Sequence, residues 1–97
     1  MSTKISDGQL IDAVIRGDQA AYRSLIDRYQ KYVFTIAYNI LKNREEAEEA
    51  AQDVFIKVYK TLRGFERKSK FSTWLYTIAY RTALDYQKKK RYHTRSI

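Results

Sequence analysis

No proline interrupts this chain, and glycine occurs only at Gly8, Gly17 and Gly64. Proline removes a backbone donor and breaks helices, while glycine is the usual residue just past a helix C-terminus. A chain poor in both has few places where a helix must stop, which points to an all-α fold. With 97 residues it is too short to support two independent cores, so a single domain, 1–97, is expected.

Residue types that are missing narrow the chemistry. Cysteine is absent, and the one histidine, His93, falls in a polar C-terminal stretch. Disulfide scaffolds, thiol chemistry and zinc fingers are thereby excluded. No nucleophile accompanies a base, no carboxylate pair sits in an apolar run, and no metal-ligand cluster occurs. The chain is therefore expected to act by binding, with no cofactor and no metal. Its N-terminus, MSTKISDGQL, lacks the apolar core of a signal peptide. No segment approaches the roughly 18 apolar residues of a membrane span. A soluble, cytoplasmic protein is expected.

Periodicity places the helices. Asp7 is positioned to cap a short helix, 7–16, with Leu10, Ile11, Val14 and Ile15 apolar and Gly17 as its stop. Asp18 caps a long helix in which Tyr22, Leu25, Ile26, Tyr29, Val33, Ile36, Ala37 and Ile40 recur at three- and four-residue steps. Asn43 and Glu46 make a capping box for a third helix. Its stripe is Ala47, Ala51, Val54, Phe55, Val58 and Leu62, and Gly64 ends it. Gly64 to Phe71, GFERKSKF, reads as a basic loop, and Ser72 as the cap of a last helix to about Lys90. The expectation is a compact bundle of three main helices plus the short N-terminal one. The core spans 18–91 and a basic tail 92–97.

Charge is unevenly spread along this frame. The net +8 divides into +2 over residues 1–42, −2 over 43–60 and +8 over 61–97. A localised basic face suits nucleic acid, whose phosphates reward counterion release. A solvated basic surface is the plainer alternative, and a membrane surface is disfavoured because no strongly apolar face accompanies Lys88 to Arg91.

Two faces stand out against the core stripes. On the helix that opens in KFSTWLYTIAYR, residues 70–81, Leu75, Ile78, Ala79, Thr82 and Tyr86 share the packing side, whereas Trp74, Thr77, Arg81 and Tyr80 point elsewhere. An aromatic ring beside Lys68 and Lys70 suits stacking on an unpaired base. Phe71, just ahead of the expected cap, suits a hydrophobic staple. On the third helix Glu49, Gln52, Asp53 and Ile56 follow i, i+3, i+4, i+7, the spacing by which a helix presents anchors to a protein partner. A helical adaptor module and a helix-turn-helix duplex binder both remain open on these features.

Taken in order, DRYQKYVFTIAYNIL, EEAEEAAQDVFIKVY and KFSTWLYTIAYRTALDYQKKKR resemble region 2 of the bacterial sigma factors, most closely the extracytoplasmic-function group. The resemblance covers about Asp18 to Arg91. It implies a helical domain that binds RNA polymerase core through the β′ coiled coil, and that recognises and melts the promoter −10 element. The polymerase-contacting helix corresponds to EAAQDVF, which assigns Glu49, Gln52 and Asp53, with Ile56 one turn on. The loop that captures a flipped base corresponds to Gly64 through Phe71, which brings in Arg67, Lys68, Ser69, Lys70 and Phe71. The following helix start corresponds to Ser72, Thr73 and Trp74. Thr77, Arg81 and Lys88, off the core stripe of that helix, complete the expected DNA-facing set, with Arg81 as a phosphate contact.

The implied partners are polymerase core and the non-template single strand of the −10 element; whether an anti-sigma factor also binds is open, and no membrane is implied. The chain also departs from the wider pattern. Housekeeping sigma factors carry two adjacent tryptophans where Thr77 and Ile78 stand here, so loop capture rather than a wedge is expected. Members of the group continue into a second domain, region 4, that reads the −35 element, whereas this sequence ends at HTRSI. It is expected to be one domain of a longer protein, with an unusual one-domain form as the alternative.

Overall fold

The first helix is opened by Ser6 rather than by Asp7. Ser6 Oγ accepts from the Gln9 amide while the Gln9 side chain accepts from the Ser6 amide, a reciprocal capping box. Asp7 is engaged elsewhere: its carboxylate takes the Tyr29 hydroxyl and pairs with Arg28 at 2.9 Å. The computed structural model describes residues 5–95, with side chains to Lys90. It contains α1 (Asp7–Ile15), α2 (Gln19–Leu41), α3 (Arg44–Thr61), a 3₁₀ turn (Leu62–Gly64) and α4 (Phe71–Arg95). The expected basic tail, 92–97, has no described side chains.

The stops follow from backbone chemistry. Gly17 adopts φ +99°, a conformation that favours glycine, and the amides of Gly17 and Asp18 return to the carbonyls of Val14 and Ala13. Asp18 then accepts from the Ala21 amide to begin α2. Lys42, at φ 55°, ends α2, and Asn43 accepts from the Glu46 amide to begin α3. The Glu46 carboxylate faces Lys90, 3.4 Å away on α4.

The last helix begins earlier than its sequence indicates. It starts at Phe71, with the Thr73 and Trp74 amides bonded to the Lys70 carbonyl, so Ser72 lies inside the first turn and does not cap it. Phe71 is 4% exposed and packs on Tyr29, Phe65 and Trp74. Burying such a ring stabilises by roughly 1.5–3 kcal/mol, against about 1 kcal/mol for a side-chain cap. Tertiary packing therefore decides where the helix begins.

Helix α2 is the centre of the bundle and packs on α1, α3 and α4. The main core joins Ile11, Leu25, Val33, Val54, Val58 and Leu75. A smaller cluster of Ala37, Leu41, Ala47, Ala50 and Ala83 closes the other end, where small side chains let three helices approach. Thr82 is buried, yet its hydroxyl donates to the Ile78 carbonyl and accepts from Lys57 Nζ at 3.0 Å. Among the described residues no helix is long and apolar enough to cross a membrane.

Candidate nucleic-acid interface

Two phenylalanines set the loop ahead of α4. Phe65 and Phe71 bracket it, both are buried, and their rings lie 5.8 Å apart. Trp74 settles on the pair, 4.9 Å from Phe65 and 5.8 Å from Phe71. These three rings with Tyr29 form an aromatic floor, so burial of the ends of the loop pushes residues 66–70 outward, and all five are exposed. Phe71, which the resemblance assigns to DNA, is part of that floor. Trp74 is only partly buried and forms the rim.

The cations of the loop are not equivalent. Lys70 is exposed beside the start of α4 and makes no ion pair among the described residues. Lys68 pairs with Glu66 at 3.3 Å, but both side chains are largely in water, where such a pair holds little. Arg67 turns back to α1, where its guanidinium meets Asp12 at 2.5 Å. Arg63, just before the loop, donates to the Ile15 carbonyl at 3.0 Å. Ser69 Oγ donates to the adjacent Lys70 carbonyl.

Along α4, Trp74, Thr77, Arg81 and Lys88 fall on one face, at steps of three, four and seven residues. Thr77, Arg81 and Lys88 are exposed, as is Thr73, whereas Ser72 is half-buried and its carbonyl accepts from the Tyr32 hydroxyl. Lys88 lies about 21 Å along the helix axis from Trp74, next to Lys89 and Asp85. This is a basic, sparsely apolar strip with one aromatic ring at its loop end. Tyr76 and Tyr80, exposed and stacked 5.9 Å apart, occupy another side of the helix.

The anchors on α3 divide between its two flanks. Gln52 and Ile56, the latter 50% exposed, line a groove of about 930 Å³ whose opposite wall is Tyr22, Ile26, Phe34 and Tyr38 of α2. Phe34 and Tyr38 stack at 5.8 Å. Asp53 faces α4, where Oδ2 accepts the Tyr86 hydroxyl. Glu49, exposed, lies between the two flanks. Phe34 and Tyr38 join this face from α2, beyond the residues expected from the spacing on α3. Two aromatic residues four apart and outside the core stripe were the available signal. Asp12 was also missed, and nothing local marks it as a loop contact.

Residues 25–92 match the family described as sigma-70 region 2. The chain belongs to that family. It is 40% identical over 81 residues to the ECF RNA polymerase sigma factor SigW of Bacillus subtilis, covering 84% of this chain and 43% of the relative. It is 37% identical over 78 residues to the ECF RNA polymerase sigma-E factor of Escherichia coli K12, covering 80% of this chain and 40% of the relative. The chain thus spans about two fifths of the length of these curated relatives. An engineered region 2 of sigmaE, solved in complex with GTAAAA, superposes with a TM-score of 0.85 at 37% identity, over 93% of this chain and 94% of that one.

Every expected site residue, from Glu49 to Lys88, falls inside the sigma-70 region 2 span, whereas α1 with Asp12 precedes it. Two arginines of the region 2 segment, Arg63 and Arg67, nevertheless bond to α1.

Proposed function

We propose that this chain acts as region 2 of an extracytoplasmic-function sigma factor, binding polymerase core and capturing the unpaired non-template strand of the −10 element. The observation that carries the reading is the strip on α4. A partly open Trp74 ring stands between the exposed loop and Arg81, in a fold like that of a domain solved with GTAAAA. Stacking on such a ring is worth roughly 1–3 kcal/mol per base. Lys70 at the loop and Arg81 on the helix flank the ring and suit backbone phosphates. The mechanism is binding: a base leaves the duplex stack because the rim and loop hold it better unpaired.

The groove between α2 and α3 is the surface we assign to polymerase core. Its apolar α2 wall, with Ile26 and Phe34, faces Gln52 and Ile56 of α3 and suits a helix of a protein partner. The acidic side chains of α3 would repel DNA, which separates the two partners by charge. An anti-sigma factor would be a further partner, and a cytoplasmic location accompanies this role.

The test is fluorescence anisotropy of the 97-residue chain with single-stranded GTAAAA, a scrambled hexamer and the duplex form. A clear preference for the unpaired, ordered hexamer is expected. Equal binding to all three would remove the −10 reading.

A further inference from the structure

We propose that Asp12 is a positioning residue for DNA capture, holding the loop before α4 in its outward geometry through Arg67. This rests on the reading of that loop and of Trp74 as a DNA-facing surface. Three observations carry it. Arg67 has a left-handed backbone, φ 62°, which a residue with a Cβ adopts only when its surroundings compensate. Its guanidinium does not extend into solvent but lies on α1, with Nη2 at 2.5 Å from Asp12 Oδ1. Nη1 lies one turn further up, where a Cβ placed on Gly8 would stand 3.9 Å away.

A second attachment sets the same direction. Arg63 Nη2 donates to the carbonyl of Ile15 at 3.0 Å. That carbonyl is among those at the end of α1 with no intrahelical partner, and a cation there also favours the helix dipole. Arg63 and Arg67, four residues apart, both grip the last turns of α1. Phe65 between them is anchored in the aromatic floor under Trp74. The loop's path toward Lys70 is therefore set by a helix that takes no expected part in DNA contact.

The charge of Asp12 and its pairing with Arg67 act on DNA binding in opposite directions. Asp12 is an anion beside a face that receives phosphates, so its charge alone opposes binding. Removing that charge should tighten DNA binding if Asp12 has no positioning role, and weaken it if the loop depends on the pair. An exposed pair limits the effect to a loss of up to about fivefold.

The experiment measures single-stranded GTAAAA binding by the full chain for Asp12→Asn, for the exchange Asp12→Arg with Arg67→Asp, and for Trp74→Ala. Expected are weaker binding for Asp12→Asn at an unchanged melting temperature, and recovery in the exchange, which restores the pair with the same net charge. Unchanged or tighter binding by Asp12→Asn, with Trp74→Ala still impaired, overturns the positioning role alone. An exchange variant that binds worse than Asp12→Asn also overturns it, because Arg67 would then touch phosphate directly. If Trp74→Ala binds like the parent, the DNA reading of the surface fails and the positioning role falls with it.

Discussion

The hydroxyl of Tyr86 on α4 donates to Oδ2 of Asp53 on α3, tying together the two helices that carry the candidate faces. Asp53 is thus an internal tie as well as a member of the acidic stripe, and Gln52 beside it is not. Asp53→Ala is expected to cost about 1–3 kcal/mol by leaving a half-buried hydroxyl unpaired. The melting temperature should fall by about 4–8 °C for each kcal/mol. Gln52→Ala should leave the melt unchanged and weaken binding to polymerase core. Circular dichroism melts beside a core-binding titration check both, and equal melts for the two variants would contradict the assignment.

Tyr29 makes the fold sensitive to alkali. Burial, and then its bond to the Asp7 carboxylate, push its pKa from 10.0 to about 12. Burial and the bond to Asp53 push Tyr86 upward as well. The folded state keeps protons that the unfolded chain releases near 10.0, so this stability is complete below pH 10 and is lost as pH rises through about 12. Urea midpoints should be level from about pH 7 to 9 and fall beyond 10. Tyr29→Phe should make that fall shallower, with Asp7 still paired to Arg28.

Phe71 and Trp74 are neighbours in the aromatic floor with different expected consequences. Phe71→Ala removes a buried ring and should cost about 3–5 kcal/mol, a large part of the roughly 5–15 kcal/mol that holds a small domain together. Trp74→Ala removes a ring at the rim, and a smaller loss of stability is expected. It should come with a loss of about 1–3 kcal/mol in single-strand affinity and little change for duplex. Thermal melts with anisotropy separate the two positions.

Lys70 and Arg81 should each account for part of the salt dependence of DNA binding. Neutralising either to Ala is expected to lower the slope of log K against log salt by up to about 0.7 on single strands. Arg67→Gln should change the slope less, because its guanidinium is already paired with Asp12. Affinities measured over a salt series decide this, and an Arg67 effect as large as that of Lys70 would place Arg67 on the phosphates.

The helices and most of the core were legible in the sequence because both depend on local spacing. Leu25, Val33, Val54, Val58 and Leu75, read as apolar stripes, are all buried. Gly17 ends α1 as its backbone freedom requires. Helical spacing also placed Thr77 and Arg81 on the exposed side of α4, whereas Trp74, expected there too, is half-buried against Phe65 and Phe71. It was less reliable where a cap competed with burial, as at Ser72, which lost to the Phe71 ring, and at Asp7, which was drawn to Tyr29 and Arg28.

By itself, then, the sequence determined the all-helical class, the core stripes and the family, since each is carried by residue types a few positions apart or by motifs in order. Only the tertiary structure decided which polar groups meet. Asp12 and Arg67 are 55 residues apart, and Asp53 and Tyr86 are 33 apart. Periodicity gives the angle of a side chain around its own helix, but a hydrogen bond requires two atoms within about 3 Å. That proximity is created by the packing of α2 against α1, α3 and α4, which turned Arg67 toward α1, divided Gln52 from Asp53, and left Trp74 at the rim.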